Sequence, residues 1–339
     1  MSESKAMILG CSGKRLTPEE ASFYRGERPW GFILFARNIG EADEIRDLVA
    51  GLREAVGRPA APVFIDQEGG RVQRIRPPLA PNYPAGAALG ALYRQDREAG
   101  LRATWLLARL HAFDLERFGI TADCLPVLDV PVEGASEVIG ARAYGRDPQS
   151  VAALGRAAAE GLLAGGLLPV MKHIPGHGRA SLDTHFELPT VEAPLAALRE
   201  NDFAPFKALA DLPAAMTAHV VFSAIDPSGP ATTSKKVIDE VVRGEIGFDG
   251  LLFSDDTSMK ALSGDFPQKA AAILAAGCDI VLHCNGVMEE MAGIASRTTP
   301  LQGRSRRRAD AALARIGAGD DQREAALRDE FSTYFEAVA

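Results

Sequence analysis

Cysteine is scarce in this chain: four residues in 339. Cys11, Cys124, Cys278 and Cys284 form no CxxC pair, and each lies in or beside an apolar run. A disulfide framework or a thiolate metal site is therefore not indicated, and buried reduced thiols are expected. Long apolar runs are also missing. None approaches the ~20 residues of a membrane span. The apolar stretch Met7–Leu9 is too short for a signal peptide. These absences point to a cytoplasmic protein with no membrane partner. An excess of basic charge is absent as well. The net charge is −8, which leaves no electrostatic footprint for nucleic acid. The one basic cluster, Arg304, Arg306, Arg307 and Arg308, reads as a solvated approach to a C-terminal helix. No HExxH occurs and no His-x-His closes the first apolar run, so ligand spacing gives no metal site and no cofactor is expected. A metal-dependent hydrolase remains a rival reading, because five of the six histidines fall in the C-terminal half.

What is present is an alternation. Eight short apolar runs, Ala6–Gly10, Gly31–Phe35, Pro62–Asp66, Ile120–Val130, Leu168–His173, Ala214–Val220, Gly250–Asp255 and Asp279–Cys284, read as strands buried on both faces. Helical signals lie between them. Thr17-Pro18-Glu19-Glu20 is a capping box with proline at the first helical position. Ile45, Leu48, Val49, Leu52 and Val56 repeat at helical spacing. Gly100–Phe118, stopped by Gly119, and Val151–Ala164 read as helices, as do Val191–Leu209, Lys235–Arg243 and Gln268–Ala276. Eight strands alternating with helices give an α/β fold, a single (β/α)8 TIM barrel over residues 1–339. The rival open sheet lacks its phosphate loop, since Gly10-Cys11-Ser12-Gly13 matches poorly.

Polar groups gather where these strands end: Asp66, Asp129, Lys172-His173, His219 and Asp255. Barrel active sites are built at that face. In Asp66-Gln67-Glu68-Gly69-Gly70-Arg71-Val72-Gln73-Arg74 a carboxylate leaves a strand into a flexible glycine pair. A salt-bridged turn is the alternative. In Lys172-His173-Ile174-Pro175-Gly176-His177-Gly178 followed by Asp183-Thr184-His185, a carboxylate and an imidazole two residues apart can share one side of an extended loop. Such a pair suits general acid/base work, and equally a histidine merely satisfied by its neighbour. In Ser254-Asp255-Asp256-Thr257-Ser258-Met259 two acids point to opposite sides. One can face the barrel mouth as a nucleophile while the other stays in the wall. A structural Asp255 paired to Lys172 is the alternative.

These segments resemble glycoside hydrolase family 3, in particular its β-N-acetylhexosaminidase branch. The resemblance extends to Leu125–Val130, Gly140–Gly145, Met216–Val221, Pro230–Lys236 and Ala276–Asn285, in the family's order. It implies a TIM barrel in which Asp255 is the nucleophile, His185 the acid/base and Asp183 its partner. Asp66, Arg74, Arg142, Lys172 and His173 are implied to bind the terminal sugar. The implied reaction removes a non-reducing N-acetylglucosamine from 1,6-anhydro-N-acetylmuramic acid, with or without peptide, in peptidoglycan recycling. A small carbohydrate is the expected partner. A phosphorylase using the same site, and a sugar-binding protein without turnover, are the other readings.

Overall fold

The computed structural model describes residues 4–335 except Asp183, His185 and Phe186. Eight parallel strands follow one another in the chain: β1 (Lys5–Leu9), β2 (Pro29–Leu34), β3 (Val63–Ile65), β4 (Ala122–Asp123), β5 (Leu168–Ile174), β6 (Ala214–Thr217), β7 (Leu251–Phe253) and β8 (Val281–His283). Their spatial order is β7-β6-β5-β4-β3-β2-β1-β8. The two ends meet through the parallel bridge Phe253–Ile280 and the bond from Ser254 N to the Ile280 carbonyl, 3.2 Å. The sheet is thereby closed into the eight-stranded barrel that the alternation of runs predicts.

Side-chain alternation decides what each strand buries. Ile8, Phe64, Val170, Phe253 and Leu282 form one buried cluster, while Met7, Leu9, Val63, Ile65, Leu252 and Val281 belong to another, shared with the helices. Phe64 meets Phe253 edge-on at 5.7 Å. Their strands are not neighbours in the sheet, so the contact crosses the barrel interior. The fill is a packed core rather than a channel. All four cysteines are free and buried, and burial pushes the Cys11 thiol up to about 12.

The helices obey local rules. Thr17 Oγ1 accepts the Glu20 N–H at 3.1 Å and Glu20 accepts the Thr17 N–H at 3.0 Å, completing the capping box that opens Pro18–Glu27. The helix Ala42–Ala55 buries Ile45, Leu48, Val49 and Leu52. The long helix spans Arg97–Glu116, and Gly119 beyond it adopts φ 73°, the left-handed conformation that glycine tolerates.

Three expectations change. Only Ala122–Asp123 of the run Ile120–Val130 is regular strand. The rest follows β5 irregularly, with Leu128 N bonded to the Lys172 carbonyl at 2.7 Å; Pro126 lacks the N–H that a ladder needs. Helix in Val191–Leu209 begins only at Leu195, after Pro194, because Thr190–Val191 pairs in parallel with Val221–Phe222. The arginine-rich stretch is helix rather than the approach to one: it lies largely inside Gly303–Leu313, with Arg304 and Arg307 exposed as expected, while Arg308 bonds Asp279 at 3.1 Å. The last helix, Glu324–Ser332, is tied to the barrel by Arg328, which reaches the buried Asp114 at 2.5 Å. Among the described residues no helix is long and apolar enough to cross a membrane.

Candidate active site

The C-terminal ends of the strands surround a cavity of about 310 Å³, at the small end of the usual range for small-molecule sites, ~300–1,000 Å³. Asp66, Arg74, Arg142, Lys172, His173 and Asp255 all line it. The expected site residues within the described chain thus converge from three strand ends, those of β3, β5 and β7, and from the long loop after β4. Asp183 and His185, expected as the acid/base pair, lie outside the described residues. Thr184 between them is buried and lines the same cavity.

One wall begins where β3 ends. The glycine pair after Glu68 is not a flexible linker. Gly69 and Gly70 adopt φ 95° and 58°, and a Cβ on Gly69 would sit 2.3 Å from the Pro84 carbonyl oxygen. Only glycine fits this turn. It folds Gln67–Gly69 back on Val72–Gln73 and returns Arg74 toward Asp66. Gln67 locks the turn: its N–H donates to Asp123 Oδ1 at 2.9 Å, and its Oε1 accepts Arg74 N at 3.0 Å.

A chain of alternating charge follows. Arg74 Nη2 donates to Asp66 Oδ2 at 2.9 Å, and Lys172 Nζ donates to Asp66 Oδ1 at 2.8 Å. Lys172 Nζ also lies 2.6 Å from Glu68 Oε1. Glu68 in turn accepts a two-pronged bond from Arg142, at 2.7 and 2.8 Å. Burial alone would raise Asp66 and Glu68. The cations outweigh it, holding Asp66 well below the usual carboxylate range and Glu68 at about 2. Burial would likewise discharge Lys172, but Asp66 and Glu68 raise it instead. Asp66, Glu68, Lys172 and Arg142 therefore stay charged at neutral pH, and with the Arg74 guanidinium the chain of groups has an excess of one positive charge.

A second wall is built on Asp129, beyond the neighbouring strand β4. His173 Nδ1 lies 2.7 Å from Asp129 Oδ2, and the His177 N–H donates to Oδ1 at 2.7 Å. Despite burial, His173 and these N–H groups hold Asp129 at about 2. A carboxylate on Nδ1 fixes the proton there and leaves Nε2 of His173 for a partner in the cavity. His177 also lines the cavity; burial first, and then His173, push it down to about 4. Its ring is neutral at physiological pH. The Lys172–His173 peptide between these walls is cis.

The floor comes from β7. Ser254 Oγ accepts the Leu282 N–H at 2.9 Å, and Thr257 Oγ1 lies 2.8 Å from His283 Nδ1. These bonds knit the turn after β7 to β8. Asp256 belongs to the wall: it accepts the N–H groups of Ser258 and Cys284, each at 3.0 Å. Asp255 accepts only the Asp256 N–H, at 2.8 Å, among the described residues. It forms no ion pair with Lys172, whose partners are Asp66 and Glu68. Burial favours its neutral form, yet His173 and His219, with the backbone N–H and Lys172, keep Asp255 below the usual carboxylate range. The result is an ionised carboxylate with one oxygen uncommitted, facing a cavity whose other acids are already paired.

The Glycosyl hydrolase family 3 N terminal domain matches residues 24–318. The chain belongs to glycosyl hydrolase family 3. Within that family it is similar to the beta-hexosaminidases of Alkalilimnicola ehrlichii, 41% identical over 82% of this chain and 80% of that one, and of Chromobacterium violaceum, 37% identical over 95% and 90%. Among solved structures it is similar to NagZ from Neisseria gonorrhoeae in complex with N-trifluoroacetyl-D-glucosamine. That likeness has a TM-score of 0.85 at 30% identity and covers 98% of this chain and 96% of that one. The chain is thus a family 3 glycoside hydrolase of the β-N-acetylhexosaminidase type.

Sequence reasoning missed parts of the site. Glu68 stood in a quoted motif without a role, although it organises Arg142 and Lys172. Asp129 was placed only near a strand end. His219, expected at the reactive face, is fully buried; its ring lies 2.7 Å from Thr232 Oγ1 and 3.1 Å from the Asp256 carbonyl. The one signal the sequence carries for Glu68 is an acid two residues after Asp66, just before Arg71 and Arg74; its partners lie too far along the chain to be read from it.

Proposed function

We propose that this enzyme is a retaining β-N-acetylglucosaminidase. It releases the non-reducing terminal N-acetylglucosamine from 1,6-anhydro-N-acetylmuramic acid, with or without peptide, in the cytoplasm during peptidoglycan recycling. The observation that carries the reading is the uncommitted, ionised carboxylate of Asp255 at the floor of a cavity ringed by fixed charges. The complex of the gonococcal NagZ with an N-acylated glucosamine supports the sugar class.

In this account the whole chain works as one catalytic domain. Asp66, Arg74, Arg142, Lys172 and His173 hold the hydroxyl groups of the terminal sugar. A paired carboxylate still has lone pairs free for hydroxyl donors, and the excess positive charge orients hydroxyl oxygens. Asp255 attacks the anomeric carbon as the bond to the departing oxygen breaks. His185, partnered by Asp183, gives that oxygen its proton. The glycosyl ester on Asp255 is then cleaved by water, whose proton returns to the His185 imidazole. One histidine thus serves as acid and then base, and configuration is retained.

The test is hydrolysis of a chromogenic β-N-acetylglucosaminide beside the matching β-glucoside, and of the anhydro-disaccharide. The acetamido sugar should be strongly preferred and the disaccharide cut to two monosaccharides. Comparable catalytic efficiency on both aryl glycosides contradicts the sugar assignment; an inert disaccharide contradicts the biological one.

A further inference from the structure

The sequence's one basic cluster takes part in none of this chemistry. It lies at the other end of the barrel. Pro213 immediately precedes β6 and Gly250 immediately precedes β7, and both line a cavity of about 770 Å³ at those N-terminal strand ends. The far wall is the helix Gly303–Leu313. Positions 304, 307, 308 and 311 share one face of a helix, and here they carry three arginines and an alanine that all line the cavity, with Arg315 just beyond.

The charge in this cavity is not balanced. Two carboxylates line it, Asp211 and Asp249. Asp211 is held by Arg156, with one bond at 2.9 Å, and Asp249 by Arg308. Arg308 also bonds Asp279, at 3.1 Å, and so serves as the clamp between helix and barrel. Four lining arginines less Arg308 leave Arg304, Arg307 and Arg315, none of which forms an ion pair among the described residues. Three exposed guanidinium groups therefore line one wall of an open cavity in a chain whose net charge is −8.

We propose that this cavity binds a small organic diphosphate, of the size of a nucleoside diphosphate. Guanidinium forks match phosphate oxygens, and two of them one helical turn apart span adjacent phosphates. The volume exceeds what a bare phosphate fills and falls within the range for small-molecule sites. Leu212, Pro213 and Ala311 offer apolar wall for the organic part.

The experiment is calorimetric titration of the full chain with pyrophosphate, a nucleoside diphosphate and a short DNA duplex, repeated on the double variant Arg304→Gln, Arg307→Gln. Arg308 is left alone because it clamps the fold. Saturable one-to-one binding of the nucleoside diphosphate is expected, tighter than pyrophosphate and weakened at least about tenfold in the variant. Glycosidase activity of the variant should be unchanged, showing that it folds. Absence of saturable binding overturns the proposal, as does equal affinity in the variant. A nucleoside diphosphate no tighter than pyrophosphate overturns the organic ligand, and DNA bound more tightly than either makes the surface one for a polymer.

Discussion

The ammonium of Lys172 stands 2.6 Å from Oε1 of Glu68 and 2.8 Å from Oδ1 of Asp66. One buried cation thus joins two acids, and Glu68 passes the order on to Arg142. Breaking a buried pair from one side leaves a charge without a partner and costs about 3–5 kcal/mol. Glu68→Ala should therefore lose stability of about that size in urea denaturation. The milder Glu68→Gln should fold, but with KM raised and kcat/KM down about tenfold, because Arg142 and Lys172 lose their anchor. Wild-type KM and stability in both variants would show that Glu68 does not hold the site.

His177 should make stability pH-dependent. Its folded value is about 4, against ~6.5 in an unfolded chain. Below pH 6.5 the unfolded chain takes up a proton that the folded chain refuses. Stability should then fall as pH drops from 6.5 to 4, by about 3 kcal/mol at ~1.4 kcal/mol per pH unit. Glu68 and Asp129, each at about 2, act later: their contribution is lost between about pH 4 and 2. Thermal unfolding of His177→Gln should show a flatter profile between pH 6.5 and 4. His219, also shifted down chiefly by burial, should leave a residual slope. A slope equal to that of the wild type would contradict the assignment.

Much of this was legible in the sequence because it is local. Apolar runs bounded by Gly or Pro marked all eight strands, and the Thr17–Glu20 box marked a helix start, since both depend on neighbours in the chain. What failed depends on distance. The run Ile120–Val130 is apolar because it is buried under the barrel mouth, and burial does not separate strand from irregular chain. Arg308 seemed solvated because its partners, Asp249 and Asp279, lie 59 and 29 residues away. The role of Glu68 rests on Arg142, 74 residues on. Asp255 was legible as a strand-end acid, but its freedom from Lys172 was not.

Metal should be dispensable. Among the described residues no three His, Cys, Asp or Glu side chains are grouped to hold an ion, and Asp66 is already paired with Arg74 and Lys172. Exhaustive dialysis against a chelator should leave hydrolysis of the chromogenic substrate unchanged. Activity lost on chelation and restored by a divalent ion would require a different mechanism.

His185→Ala should separate the two chemical steps. An activated aryl group departs without protonation, so transfer of the sugar to Asp255 is partly spared. Hydrolysis of the ester still needs a base, so the intermediate should accumulate. Azide needs no base. It should restore turnover of the aryl glycoside and give a glycosyl azide of retained configuration, while the natural disaccharide stays uncut. Near-normal cleavage of the disaccharide by this variant would move the acid/base role elsewhere.

The central claim is that Asp255 carries the sugar. Its one committed oxygen bonds its own neighbour, and Asp256 and Asp66 are held by other partners. The direct measurement is trapping with a slow fluorinated N-acetylglucosaminyl substrate, followed by proteolysis and mass spectrometry. The account predicts one sugar per chain, on the peptide containing Leu252–Met259 and fragmenting to Asp255. A label on Asp256 or Asp66, or turnover with inverted configuration and no label, would contradict it.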